Sequence, residues 1–348
     1  MELNFDLLKR ICEAPGIPGR EDQVRQIVLE EMRPLVDEVY VDPLGSVVGT
    51  KKGSGGPRVM LAAHMDEIGC LVRHVDDSGA LRLQPLGGLQ AANMLAQRVR
   101  VHTRDGEALL GAIQAPQRPR NQPPGEAKPY TIDELFVDLG LSAEEVRAAV
   151  EVGDMVTMDR SCERAGHTVM SKALDDRVSV YIMLEILRAV GAHQADIVAV
   201  ATVQEEVGLR GAGPAAFGVT PDVGVALDVT GGDPLGSEPA RQVARLGAGA
   251  GIKVFDGSVI PNHKLVRHFR EVAERHDIPY QLEILPAGGT DAGAIERSRA
   301  GVPSITISTP TRYVHTVNEM AHVDDIQAVI SLVARYLEEA QNGDYRLG

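Results

Sequence analysis

Two adjacent glutamates, Glu205 and Glu206, follow the apolar run Ile197-Val198-Ala199-Val200-Ala201-Thr202-Val203. The run is short, rich in β-branched residues and without alternation, which predicts a strand buried in a parallel sheet. Ionised carboxylates at the end of such a strand are costly unless something pairs with them, and a metal ion is a partner that takes both. Donors of other types recur in comparable places. His64-Met65-Asp66 follows a strand candidate over 58–63, and on an extended chain His64 and Asp66 face the same side. A carboxylate at Asp66 would fix the imidazole tautomer from behind. Asp175 and Asp176 open a helix expected over 176–190, where one aspartate serves as an N-cap or dipole partner and the second is left over. Asp228 ends a strand expected over 223–227, and His315 follows one expected over 302–308.

Taken singly, each residue has an ordinary structural use. Their shared placement changes the reading: His64, Glu205, Glu206 and Asp228 all fall at C-terminal ends of expected parallel strands, the edge along which open α/β sheets assemble their sites. Two histidines and three carboxylates suffice for two divalent ions with one carboxylate bridging. Two-metal hydrolases hold their ions roughly 3.5–4 Å apart, polarise a carbonyl and generate hydroxide. Oxygen and imidazole donors without thiolate suit Zn²⁺, Co²⁺ or Mn²⁺ alike. The acid remaining after the ligands are assigned is a natural general base.

The elements that must position these groups form an α/β fold. Helices are expected over 5–14, 20–36, 263–276 and 325–342, with extended chain at 280–285. Strands alternating with helices give a mainly parallel central sheet flanked by helices. From about Gly69 to Asp159 the texture changes to short alternating pieces, such as Leu81-Arg82-Leu83-Gln84, and to a proline-rich loop from Gln117 to Lys128. This block reads as a small β-rich insertion, or as an elaborated edge of the main domain. The glycine run Gly247–Gly251 precedes extended chain rather than a helix, so it reads as a tight connection and not a phosphate loop. His102, His193 and His276 read as surface residues.

Composition narrows the function classes. The 348 residues carry 35 basic and 49 acidic side chains, a net charge of −14, which disfavours nucleic acid and anionic membrane surfaces as partners. The three cysteines are widely spaced and form no C-x-x-C pair, which points to a reducing compartment. The first residues lack the basic start and apolar core of a signal peptide, and no apolar run approaches the roughly 20 residues that span a bilayer. A cytoplasmic location is expected. Tryptophan is absent and aromatics make up 3% of the chain, which weakens a polysaccharide-binding reading.

His64-x-Asp66, Leu174-Asp175-Asp176-Arg177, Glu205-Glu206-Val207-Gly208-x-Arg210-Gly211, Asp228 and His315, in this order, resemble the tetrahedral (TET-type) dinuclear metallo-aminopeptidases, some of which carry the label cellulase M. The likeness covers nearly the whole chain, including the β-rich block and Gly288-Gly289-Thr290-Asp291. It implies an aminopeptidase acting on peptides, with a catalytic domain of residues 1–68 and 166–348 and an inserted dimerisation domain of residues 69–165. It implies that Asp175 bridges two metals, that His64 and Glu206 or Asp228 are divided between them, that His315 completes the set and that Glu205 is the base. It further implies a non-proline cis peptide between Asp175 and Asp176, and dimers that assemble into a hollow dodecamer. Asp66 and Asp176 would support the ligands. Arg210 and Asp291 would touch substrate or serve structure, and His263 is placed near the site by the likeness alone. Rival readings are another dinuclear amidohydrolase or carboxypeptidase, a glycoside hydrolase with two carboxylates, and a non-catalytic peptide-binding protein.

Overall fold

The computed structural model describes residues 3–118, 128–236, 238 and 242–347. Helices α1 (Phe5–Glu13) and α2 (Asp22–Met32) lead into strands β1 (Glu38–Val41), β2 (Val47–Lys51) and β3 (Arg58–His64). The chain then leaves the main sheet to form β4 (Gly69–Val75), β5 (Leu81–Leu86), helix α3 (Ala91–Met94), β6 (Arg98–His102), β7 (Ala108–Gln114), β8 (Phe136–Asp138), helix α4 (Ala143–Ala149) and β9 (Met155–Met158). It returns through β10 (Glu163–Ala165), β11 (Thr168–Ser171), helix α5 (Leu174–Ala189), β12 (Asp196–Thr202), helix α6 (Ala212–Val219) and β13 (Val223–Gly231). The last part holds β14 (Ala250–Phe255), helix α7 (His263–Arg275), β15 (Tyr280–Ile284), helix α8 (Asp291–Glu296), β16 (Ser304–Arg312), β17 (Glu319–His322) and helix α9 (Val323–Glu339).

The large sheet runs β1-β2-β12-β3-β13-β16-β17-β11-β10, with β14 and β15 attached beside β16. Its centre is parallel: β12 on β3, β3 on β13, and β13 on β16. The flanking pairs β1/β2, β2/β12, β16/β17 and β17/β11 are antiparallel. Helix α5 is buried from Leu174 to Leu187, packed between the sheet and helices α1 and α9. After the polar start Asp175-Asp176-Arg177, its residues from Val178 to Leu187 are mostly apolar on every side, as an enclosed helix requires. Small residues of α6, Ala212, Ala215 and Ala216, join Ile295 of α8 on the opposite face. The sheet is therefore covered on both sides.

Strands β4 to β9 close into a barrel of order β4-β5-β8-β7-β6-β9. Leu81, Leu83, Val99, Val101, Ile113 and Val137 fill a core separate from that of the sheet. The proline-rich loop expected over 117–128 falls largely on residues 119–127, outside the described ones. Strand β10, three residues long, adds to the large sheet by pairing with β11. No helix among the described residues is long and apolar enough to cross a membrane.

Several boundaries differ from the sequence expectation for local reasons. The helix expected over 20–36 ends at Met32 and gives way to a 3-10 turn, Arg33–Leu35, because Pro34 cannot continue the hydrogen-bond ladder. Strand β13 does not stop at Asp228. It continues to Gly231, held by pairing with β16 from Gly224↔Ser304 to Gly231↔Thr311. The glycine run at 247–251 leads into β14, and the Asp325 carboxylate accepts the Gly247 and Gly249 N–H groups at 2.7 Å each.

Candidate metal centre

Register brings the donors to one sheet edge. Thr202 lies level with His64 across the β12/β3 pair. The β13/β3 pairing of Ala226 with Ala62, carried two residues further, sets Asp228 beside His64. Asp228 thus reaches the site from inside its strand. Asp175 enters from the start of α5, where Asp175 and Asp176 have non-helical backbone angles and the peptide bond between them is cis. Glu205 and Glu206 sit on the loop after β12, behind Gln204 in a left-handed conformation (φ 57°). His315, itself left-handed (φ 62°), sits on the turn between β16 and β17. Such backbone is uncommon for residues other than glycine and concentrates at functional loops.

The six side chains converge. His64 Nε2 lies 3.2 Å from Asp175 Oδ1 and 3.8 Å from Glu205 Oε2. His315 Nε2 lies 3.3 Å from both Asp175 Oδ2 and Glu206 Oε2. Two trios have donor atoms within 4.8 Å of one another: His64, Asp175 and Asp228, and Asp175, Glu206 and His315. Asp175 belongs to both and turns one oxygen to each histidine. Glu205 belongs to neither.

Electrostatics show that this cluster lacks positive charge. Burial, reinforced by neighbouring carboxylates, pushes Glu205, Glu206 and Asp228 above the ordinary carboxylate range. Burial acts the same way on Asp175, yet hydrogen bonds with His315 and His64 outweigh it and hold this group low. Burial opposes charge on both imidazoles, but the surrounding carboxylates lift His64 well above its usual value and His315 to about 11. Four carboxylates thus press on two imidazoles in a largely buried setting. Glu206 Oε1 is buried without a hydrogen-bond partner among the described residues. Oxygen and imidazole donors in two adjoining trios, one oxygen unpaired, fit a pair of divalent cations.

A second layer holds the donors, and here the structure revises the sequence reading. His64 Nδ1 is 3.0 Å from the backbone carbonyl of Asp66 and 3.6 Å from its carboxylate, so Asp66 backs the imidazole chiefly through its main chain. That carboxylate also accepts the Glu205 and Glu206 N–H groups at 3.0 and 3.1 Å, so Asp66 anchors the glutamate loop. Asp176 accepts the His64 N–H at 3.2 Å. Asp291 is fully buried, accepts the Thr202 hydroxyl at 2.5 Å, and is pushed up to about 6 by burial. Arg177 is buried and ties the carbonyls of Ile11, Ala14 and Gly16 to α5. Arg210 is exposed and does not line the cleft, and neither does His263, which begins α7. His276 is exposed, while His102 and His193 are half-buried, each with a polar partner.

Sequence reasoning missed Glu319. It is buried at the start of β17 and accepts the Asp175 N–H at 2.9 Å and the His315 N–H at 2.8 Å. It therefore positions the shared aspartate and the loop histidine together. Burial and the facing Asp175 raise its pKa well above the usual range. A lone glutamate four residues after His315 gives no local signal for this role. The barrel's contribution was equally hidden. A Cβ at Gly88, just after β5, would collide with the His315 ring, and Val317 of the histidine turn packs into the barrel core.

The donors open onto a cleft of about 480 Å³. Asp175, Glu205, Glu206, Asp228 and His315 line it.

The sequence profile of M42 glutamyl aminopeptidase matches residues 45–332. A lysyl aminopeptidase of Pyrococcus furiosus is 37% identical over 353 aligned positions, covering 99% of each chain. Among solved structures, an aminopeptidase from the archaeon Desulfurococcus kamchatkensis superposes with a TM-score of 0.92 at 40% identity, covering 96% of this chain and 94% of the other. The TET1 peptidase of Pyrococcus horikoshii, described as able to assemble into a tetrahedron or a large octahedral shell, gives a TM-score of 0.84 at 29% identity, covering 96% and 99%.

Proposed function

The chain belongs to the M42 glutamyl aminopeptidase family and is a peptide-bond hydrolase of the aminopeptidase class, and we propose that it works through two divalent cations, both of which Asp175 would help to hold. His64 and Asp228 would complete one site, Glu206 and His315 the other. The observation that carries this reading is the Asp175 carboxylate, which shares one oxygen with each donor trio. Bound there, Zn²⁺, Co²⁺ or Mn²⁺ ions would neutralise the carboxylates, polarise a scissile carbonyl and make water nucleophilic near neutral pH.

The chain's own residues supply the rest. Glu205 is the carboxylate outside both trios, and it lines the cleft. As general base it takes the proton that the attacking water gives up and returns it to the leaving amine. Asp66 fixes the Glu205 backbone, and Glu319 fixes Asp175 and His315. The substrate would be a peptide with a free N-terminus, its ammonium facing the carboxylates that line the cleft. The aromatic-poor lining supports a peptide over a glycan as the occupant of the cleft.

Further features of the proposal lie beyond the site. The β4–β9 barrel, with a core of its own, would be an inserted dimerisation domain between the two catalytic segments, 1–68 and 166–348. Dimers would build toward a dodecamer, a reading supported by the assemblies described for the TET1 peptidase. Cys12, Cys70 and Cys162 are free thiols, which supports a cytoplasmic setting.

Glu205→Gln tests the assignment. Metal content by elemental analysis should stay unchanged while turnover of a free-amine peptide falls about 10²–10⁴-fold. Wild-type turnover in that variant would refute the role of Glu205. Cleavage of acetylated peptides as fast as free ones would favour a different amidohydrolase.

A further inference from the structure

The lining of the cleft is of two unlike kinds. Its charged lining residues are Asp175, Glu205, Glu206, Asp228 and His315, all engaged in the donor cluster. The remainder is uncharged among the described residues and includes Leu209, Val229, Leu285, Ala287 and Val314. The cleft also has a direction. Through Gly231 and Val314 it adjoins a second cavity of about 660 Å³, lined in part by Gly232, Asp233 and Tyr313. A peptide of more than one residue needs that continuation. Leu209, Leu285, Ala287, Gly288 and Gly289 line the cleft and not that second cavity, and at this end of the lining the side chain of the first residue would find apolar surface.

We infer that this end selects peptides whose N-terminal side chain is apolar and uncharged, in the size range of leucine or methionine. The inference rests on the aminopeptidase reading above and departs from the charges in its relatives' names, glutamyl and lysyl. The ionic groups beneath and beside the cleft face partners of their own, although Lys253 Nζ and Glu283 Oε1 meet only each other, as an ion pair without a hydrogen bond. Lys253 and Glu283 are fully buried, 3.1 Å apart, and Glu283 also accepts the Thr230 hydroxyl beneath the cleft floor. Asp256 accepts N–H and hydroxyl groups from Ser258, Val259 and Thr290. Asp233 pairs with Arg312. Among the described residues that line this cleft, a glutamyl carboxylate would meet no cation outside the donor cluster, and a lysyl ammonium no carboxylate outside it. Burying either charge unpaired is costly, whereas an apolar side chain gains from leaving water. A Cβ at Gly288 would meet only the Leu285 side chain, at 3.6 Å, so this glycine leaves room for a branched side chain.

The test uses the full-length, metal-loaded protein and a panel of aminoacyl-4-nitroanilides: leucyl, methionyl, alanyl, glutamyl and lysyl. Leucyl and methionyl substrates should exceed glutamyl and lysyl ones in kcat/KM by about 30-fold or more. Leu285→Arg should shift the leucyl-to-glutamyl ratio toward glutamate by about tenfold or more, with metal content unchanged. Ala287→Arg, at an exposed position, carries the same test if the first variant fails to fold. A glutamyl or lysyl substrate hydrolysed fastest would overturn the inference while leaving the aminopeptidase reading intact. So would a ratio unmoved in both variants. Failure to cleave any member of the panel with Zn²⁺, Co²⁺ and Mn²⁺ each supplied would remove the aminopeptidase reading, and the inference with it.

Discussion

The two donor trios share Asp175 and are built in different ways. His64, Asp175 and Asp228 are all buried, and two of them stand on central parallel strands whose register is fixed by the sheet. Glu206 and His315 stand on loops, and the His315 side chain is 32% exposed. Each loop is held from behind by one carboxylate: Asp66 under the glutamates, Glu319 under His315. The histidine turn also leans on the barrel through Gly88 and Val317. Strand-borne ligands are pre-organised by the fold, whereas loop-borne ligands depend on their supporting shell. The strand-built position should therefore bind its cation more tightly and release it more slowly.

The strongest way to break this asymmetry is to remove what the trios share. Asp175→Ala should abolish binding at both positions and lower turnover at least about a thousandfold, measured by elemental analysis and peptide hydrolysis. A milder change should separate the two. In Glu319→Gln the amide keeps one acceptor oxygen, so one of the two backbone N–H groups loses its partner. Affinity for the loop-site cation should drop about 10–100-fold, with the strand-built site nearly unaffected. Equal weakening of both would show that Glu319 acts through Asp175 rather than through His315.

Gly88→Ala sharpens the same comparison from the barrel side. Displacing the His315 ring should weaken the loop site by about tenfold and leave the other intact, as read by competition with a chelator. The smallest effect concerns pH. Burial raises the pKa of Asp176, Asp228 and Glu319, and carboxylate neighbours raise His64 and His315. A raised folded-state pKa contributes stability below the unfolded value and loses it as pH climbs through the folded one. Asp175, held low, has the opposite sign and acts only at the acid end. The melting temperature of metal-stripped protein should therefore fall between about pH 5 and about pH 9, and added Co²⁺ should flatten the profile.

How much of this was legible in the sequence follows the same division. The buried run before Glu205, the H-x-D triplet after another strand and the aspartate pair at a helix start are local patterns, and the structure brings those residues together. Strand-borne donors are legible because strand periodicity and the C-terminal edge rule act over a few residues. Asp228 was located but placed at a strand end, because its three further residues of pairing depend on β16. The supporting shell was not legible. Asp66 stood out for its spacing from His64, yet its carboxylate turned to the backbone of a loop some 140 positions away. Glu319 and Gly88 carry no local mark, since their roles arise only when the barrel and the β16–β17 turn meet. Arg210 stood inside a motif and lies outside the cleft.

The central claim is that one aspartate joins two unequal cation sites. Titrating the metal-stripped protein with Co²⁺, followed by visible absorption and calorimetry, tests it most directly. Two equivalents should bind in distinguishable steps, with His315→Ala retaining the tighter step alone and Asp175→Ala retaining neither. A single equivalent in the wild type, or two retained after Asp175→Ala, would contradict it.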